Sequence, residues 1–237
     1  MPEKTNAWLK KNTPHISVGA LSANLMRLED DIALLEKCDV RLLHFDIMDG
    51  NFTPQLTVGD GFVKAIKTSM FKDIHLMIAD PLDKIPAFVA AGADMITVHA
   101  ESGKHVHRCL QLIGEMKNVN NEERGIVRGL ALNPSTPINA LEPLLDEIDV
   151  IFLVAVNPGF SGQKFIHATL TRFLQVKELL KRCNKDILIG IDGGVTRATI
   201  ADCAALGADI VVSGSGIFEN RNVKDNFSYM LKVLRNN

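Results

Sequence analysis

The sequence predicts a single (β/α)8 barrel, and three observations carry that expectation. Strand-length apolar runs alternate with helix-like amphipathic stretches about eight times, a rhythm that favours a parallel sheet. Eight such units within 237 residues match the economy of a closed barrel, with a doubly wound open sheet as runner-up. Histidines and aspartates stand at the ends of several of those runs, where barrels place their chemistry.

The elements follow in order. HISVGA (15–20) is a short first strand, trailed by a helical pattern over 24–37. RLLHFDI (41–47) precedes 59–69, DIHLMI (73–78) precedes 81–91, and DMITVH (94–99) precedes 103–117. VRGLAL (127–132) leads to 137–147. DVIFLVAV (149–156) is almost wholly apolar, as a strand buried on both faces should be, and leads to 163–182. ILIGI (187–191) and DIVVS (209–213) lead to 196–206 and 224–235. AGAD (91–94) and LGAD (206–209) each place a glycine between a helix and a strand, which a helix-ending glycine explains. NVNNEERG (118–125) reads as a polar surface loop. Residues 1–14 form a polar N-terminal arm and residues 15–237 one barrel domain, with no interdomain linker.

Composition narrows the function classes. Charge is nearly balanced, 26 basic against 28 acidic residues with no basic stripe, so nucleic acid is not an expected partner. The longest apolar runs are strand-sized, so no membrane span is expected. The first residues lack the apolar core of a secretory signal. Cys38, Cys109, Cys183 and Cys203 are scattered without a CxxC pattern, as reduced thiols of a cytoplasmic protein would be. The glycosylation sequons at Asn51 and Asn226 are then chance matches.

His44, Asp46, His75 and Asp192 end strand-like runs almost 150 residues apart that a barrel would bring together. Two imidazoles and two carboxylates suit a divalent metal, and the carboxylates can also move protons. Singly, each has a plainer reading: His44 and Asp46 as a hydrogen-bonded pair, His75 as a satisfied core histidine, Asp192 as a turn residue. Their shared placement favours the site. Asp49, in the turn MDG, reads equally well as a turn or capping carboxylate. His99 could line the pocket or serve as an alternative ligand, while His15, His105, His107 and His167 default to solvated or packing roles.

Three glycine turns follow the late strands: NPGFSG (157–162), DGGV (192–195) and SGSG (213–216). Glycine permits close approach and positive φ, which together aim N–H groups at an anion. Barrels commonly hold phosphate after their last two strands. A small phosphorylated molecule, with its reactive end over the metal, is the expected ligand.

HFDIMDGNFTP, IHLMIADP, LALNPSTP, VNPGFSGQKF, IDGGV and SGSGIF closely resemble ribulose-phosphate 3-epimerases, in family order from Ile16 to Phe218. The resemblance implies a ribulose-phosphate-binding type of (β/α)8 TIM barrel. It implies one divalent ion (zinc, iron, manganese or cobalt) on His44, Asp46, His75 and Asp192. Asp46 and Asp192 would be the acid–base pair that inverts C3 of D-ribulose 5-phosphate through a 2,3-enediolate, giving D-xylulose 5-phosphate. His75, Gly159, Phe160, Ser161, Gly162, Gly193, Gly194, Gly214 and Ser215 would contact substrate or its phosphate. Met48 and Met77 would shield the intermediate from water, and the family's habit of association implies a homo-oligomer.

Departures from the family pattern fall near the pocket. Gly19 stands where a substrate-contacting serine is usual, Val154-Ala155 replaces methionine-serine, Gly216 an alanine and Ser161 a glycine. A six-carbon ketose phosphate such as D-allulose 6-phosphate is therefore a rival substrate. A barrel lyase or decarboxylase would more typically use a lysine, and none stands at the ligand-bearing strand ends. A non-catalytic sugar-phosphate-binding barrel is the rival of another class.

Overall fold

In the computed structural model, which describes residues 6–121, 124–160 and 163–236, eight parallel strands close in chain order. They are β1 His15–Gly19, β2 Leu42–Met48, β3 Phe71–Met77, β4 Met95–His99, β5 Val127–Leu132, β6 Val150–Val154, β7 Leu188–Asp192 and β8 Ile210–Ser213. The helices are α1 Asn6–Lys11, α2 Leu28–Lys37, α3 Asp60–Ala65, α4 Ile85–Ala90, α5 Val106–Glu115, α6 Ala168–Arg182, α7 Ile200–Leu206, α8 Ser215–Phe218 and α9 Val223–Arg235. Closure pairs β1 with β8, so no strand edge is left open. Among the described residues no helix is long and apolar enough to cross a membrane.

Strand positions follow the apolar runs closely, whereas the helices before α9 are shorter than their patterns. The stretch expected as a helix over 137–147 winds as a 3₁₀ segment, Ile138–Glu147, with Pro143 inside it. Proline lacks the N–H that an α-helical turn needs there. Residues 6–11 of the expected polar arm form α1, whose Leu9 is fully buried.

Alternation along each strand divides the core in two. One set of side chains packs outward against the helices. The other fills the lumen, with Leu42, Phe71, Met95, Val127, Val150 and Leu188 in one apolar cluster that also contains Leu9 and packs against Trp8. Helix α1 thus plugs the N-terminal end of the barrel. Higher up, Phe152 lies opposite Gly190 in the β6–β7 register, and a Cβ on that glycine would overlap the phenyl ring.

The same end is fastened by a repeated device. Asp94, Asp149 and Asp209 precede β4, β6 and β8, and each accepts the backbone N–H of a neighbouring strand: Lys72 at 2.9 Å, Arg128 at 3.0 Å and Ile189 at 2.8 Å. Asn118 and Arg124 from the polar stretch also reach this end, both donating to Asp94. Gly92 and Gly207 end their helices at φ 95° and 72°, as the AGAD and LGAD pattern implies.

Leu9→Ala should cost about 2–5 kcal/mol of stability by opening a cavity under the lumen. Urea denaturation monitored by circular dichroism checks this; an unchanged midpoint would show that α1 is dispensable.

Candidate metal and proton-transfer site

Register places the polar cluster. In the β2–β3 ladder His44 lies opposite Asp73 and Asp46 opposite His75. All four are at even spacing along their strands, so all face the lumen. Asp192, the last residue of β7, reaches the same point from across β1 and β8. Ligand atoms of His44, Asp46, His75 and Asp192 lie within 4.8 Å of one another. His44 Nε2 stands 3.3 Å from Asp46 Oδ1 and 3.7 Å from Asp192 Oδ2. His75 Nδ1 stands 3.4 Å from Asp46 Oδ1 and 3.0 Å from Asp192 Oδ2. One expectation needs correcting: His44 is the third residue of β2 rather than its end, and is buried below the mouth.

The donor set fits a divalent cation. His75 Nδ1 is buried and aimed between the two carboxylates. The outer nitrogen of His44 is already committed, with Nδ1 at 2.7 Å from Asp73 Oδ2. A carboxylate behind a ligating imidazole orients the ring and raises its basicity. Ser17 on β1 supports that carboxylate, donating to Asp73 Oδ2 at 2.8 Å.

The cluster's charges shift its protonation. Burial opposes a charge on His44, but Asp73 and Asp46 outweigh it and hold the imidazolium well above the usual histidine range. His75 rises to about 9 against the same burial, through Asp192 and Asp46. Burial likewise opposes ionisation of Asp46, yet the facing His44 and His75 keep its carboxyl well below the usual carboxylate range.

Residues around the cluster sort themselves by geometry. His99 is not among the four grouped ligands. Its Nε2 lies 2.8 Å from the far nitrogen of His75, and burial pushes its imidazole below the usual range. Asp49 takes the turn role: Oδ1 accepts from Asn51 and Phe52, and Oδ2 accepts from Ala79 at 2.9 Å, joining the loops after β2 and β3. Met48 and Met77 face each other at the tops of those strands. Val154 is paired with Asp192 and buried. Asp73 is a member of the cluster that the motifs do not single out. Its spacing of two from His75 was the available signal, since that spacing puts both on one face.

The glycine turns surround the mouth. Gly159 has φ 86° and packs so closely on Thr53 that a side chain there would collide, which locks the loops after β2 and β6 together. Gly193 and Gly194, at φ 94° and 68°, directly follow Asp192. Gly214 precedes α8, with Ser215 exposed at its start, and a Cβ on Gly19 would lie 3.2 Å from Gly214 Cα. Phe160 is exposed. Ser161 and Gly162 lie outside the described residues.

Comparison with known proteins points one way. The profile of the ribulose-phosphate 3 epimerase family matches residues 15–218. The ribulose-phosphate 3-epimerase of Bacillus subtilis is 40% identical over 206 residues, spanning 86% of this chain and 91% of that protein. That of Serratia marcescens is 42% identical over 207 residues, spanning 86% and 94%. Among solved structures, 3-hexulose-6-phosphate synthase from Salmonella typhimurium superposes with a TM-score of 0.66 at 19% identity. It covers 93% of this chain and 98% of its own, a likeness of fold alone.

An ion bound to both imidazoles must displace their protons. Zinc uptake at pH 7 should therefore release about two protons. His75 is raised to about 9, so affinity should climb with pH until that proton is lost, then level for this group. Titration calorimetry in buffers of different ionisation enthalpy reads the release directly. Zero release would mean that the imidazoles are not ligands.

Proposed function

This chain belongs to the ribulose-phosphate 3-epimerase family, and from that premise we propose that it converts D-ribulose 5-phosphate to D-xylulose 5-phosphate by inverting C3. It is an epimerase acting on a sugar phosphate. The observation that carries the finer reading is the pair of carboxylates from β2 and β7. Asp46 and Asp192 approach the same two imidazoles from different strands of one barrel mouth, with β1 and β8 between them. A substrate carbon held between them would present one face to each.

His44, Asp46, His75 and Asp192 would hold one divalent ion, which when bound supplies Lewis-acid stabilisation of charge developing at the C2 and C3 oxygens. Zinc, iron, manganese and cobalt all suit two nitrogens with carboxylate oxygens. One aspartate removes the C3 proton as general base, leaving a 2,3-enediolate. The other, starting protonated, delivers its proton to the opposite face, so C3 is inverted and the proton count balances. Each aspartate serves as base in one direction and acid in the reverse.

The remaining contacts orient and enclose. Gly193, Gly194, Gly214 and Ser215, with Gly159, Phe160, Ser161 and Gly162, would bind the substrate phosphate through backbone N–H groups. Met48 and Met77 close the apolar side and keep water from the enediolate. The pentose is supported over the hexose by what bounds Gly19. A Cβ there would lie 3.2 Å from Gly214 Cα and 3.9 Å from Ser22 Oγ, so the missing side chain leaves little room toward the phosphate turn. Cytoplasmic location and self-association accompany this reading.

Asp192→Asn, in metal-loaded protein, should bind substrate within a few-fold of wild type but lose about 10²–10⁴ in kcat. Exchange of the C3 hydrogen with deuterium oxide should vanish for the epimer that Asp192 deprotonates and persist for the other. Near-wild-type turnover would remove Asp192 from proton transfer. Measured side by side, kcat/KM for D-ribulose 5-phosphate should exceed that for D-allulose 6-phosphate; the reverse order would keep the chemistry and change the substrate.

A further inference from the structure

Behind His75 runs a chain of hydrogen bonds that the proposed reaction does not itself require. His75 Nε2 lies 2.8 Å from His99 Nε2. His99 Nδ1 lies 3.1 Å from Glu101 Oε2. The other carboxylate oxygen, Oε1, accepts the Asn133 backbone N–H at 2.9 Å and the Thr136 hydroxyl. Arg172 on α6 holds the loop that presents these donors, bonding the Asn133 carbonyl at 3.1 Å and the Thr136 carbonyl at 2.6 Å. Phe52 covers His99, with ring centroids 4.7 Å apart. Both imidazoles are buried.

We propose that His99 and Glu101 are positioning residues that fix the tautomer of His75 and so prepare it to bind the metal ion. This rests on the metal reading above. Two ring nitrogens at 2.8 Å can share only one proton, since two N–H groups would collide. A His75 that gives Nδ1 to an ion carries its proton on Nε2 and donates it to His99. His99 Nε2 is therefore an acceptor, and its own proton sits on Nδ1, aimed at Glu101 Oε2. The carboxylate, which has no proton to offer, sets the direction of the whole chain. Two imidazoles alone could run either way, and half of those arrangements would place a proton on the nitrogen that the ion needs.

The direction makes Glu101→Gln a severe change despite its equal size. A backbone N–H cannot reverse, so the position of Oε1 must remain an acceptor for Asn133. The amide nitrogen is then forced into the place of Oε2, where it donates to His99 Nδ1. The His99 proton moves to Nε2 and confronts the Nε2–H of His75. Thr136→Val is the matched control: it removes one donor to Oε1 and leaves the carboxylate facing His99.

The probe is zinc, titrated against a chromophoric chelator, with ring-¹⁵N-histidine spectra of the zinc-loaded full chain. Glu101→Gln should bind zinc about 10–100-fold more weakly than wild type, while Thr136→Val binds it as wild type does. Wild-type spectra should show His75 protonated at Nε2 and His99 at Nδ1. Wild-type affinity in Glu101→Gln, equal weakening in both variants, or a His99 proton on Nε2 in the wild type would each overturn the proposal. Wild-type protein that takes up no zinc would overturn the metal reading and this inference together.

Discussion

Pairing of Asp46 with His75 across the β2–β3 ladder is the constraint on which the site depends. Because side chains alternate along a strand, one register puts His44, Asp46, Asp73 and His75 into the lumen together. A slip of one residue would turn all of one strand's polar groups into the apolar layer beneath the helices, where burial without partners is costly. Register is thus held from two sides: by the apolar residues Phe45, Ile74 and Leu76 that must face the helices, and by charges that find partners only in the lumen. Closure then delivers Asp192 from β7 without any contact in sequence.

Electrostatics explain why this cluster suits a cation. His44 and His75 stand among Asp46, Asp73 and Asp192, so the carboxylates outnumber the imidazoles even when both rings are protonated. A divalent ion replaces two protons with one compact charge that all four ligands can share. The groups behind the ligands differ in kind. Asp73 steadies His44 directly with a negative charge, while His75 meets a neutral imidazole whose orientation Glu101 dictates. At the opposite end of the barrel, Asp94, Asp149 and Asp209 accept backbone N–H groups, which serves stability. Acidic residues at the two ends therefore do different work, set by whether protons of the backbone or mobile protons and ions face them.

Helices were less legible than strands, for local reasons. The 3₁₀ winding of Ile138–Glu147 follows from Pro143, which amphipathic spacing does not reveal. Helix α1 escapes notice because only Trp8 and Leu9 interrupt a polar stretch, and their burial depends on the hollow beneath the lumen. Asp49 could form a turn or cap a helix until its two oxygens are seen bonded to Asn51, Phe52 and Ala79. His99 could be a ligand until its ring is seen stacked behind His75. Each ambiguity concerned direction, and direction is a property of neighbours.

By itself the sequence determined the barrel, the candidate cluster His44, Asp46, His75 and Asp192 and the glycine turns, because period-two alternation is a local pattern that repeats eight times. The family motifs sharpened that reading to a reaction. Only the tertiary structure decided which nitrogen of each histidine faces the centre of the cluster, and that Asp73 stands behind His44 and His99 behind His75. It alone showed that Gly19 abuts Gly214 and that Glu101 stands against His99. Those relations join residues far apart in the chain, and ring orientation depends on hydrogen bonds that form only once the barrel has closed.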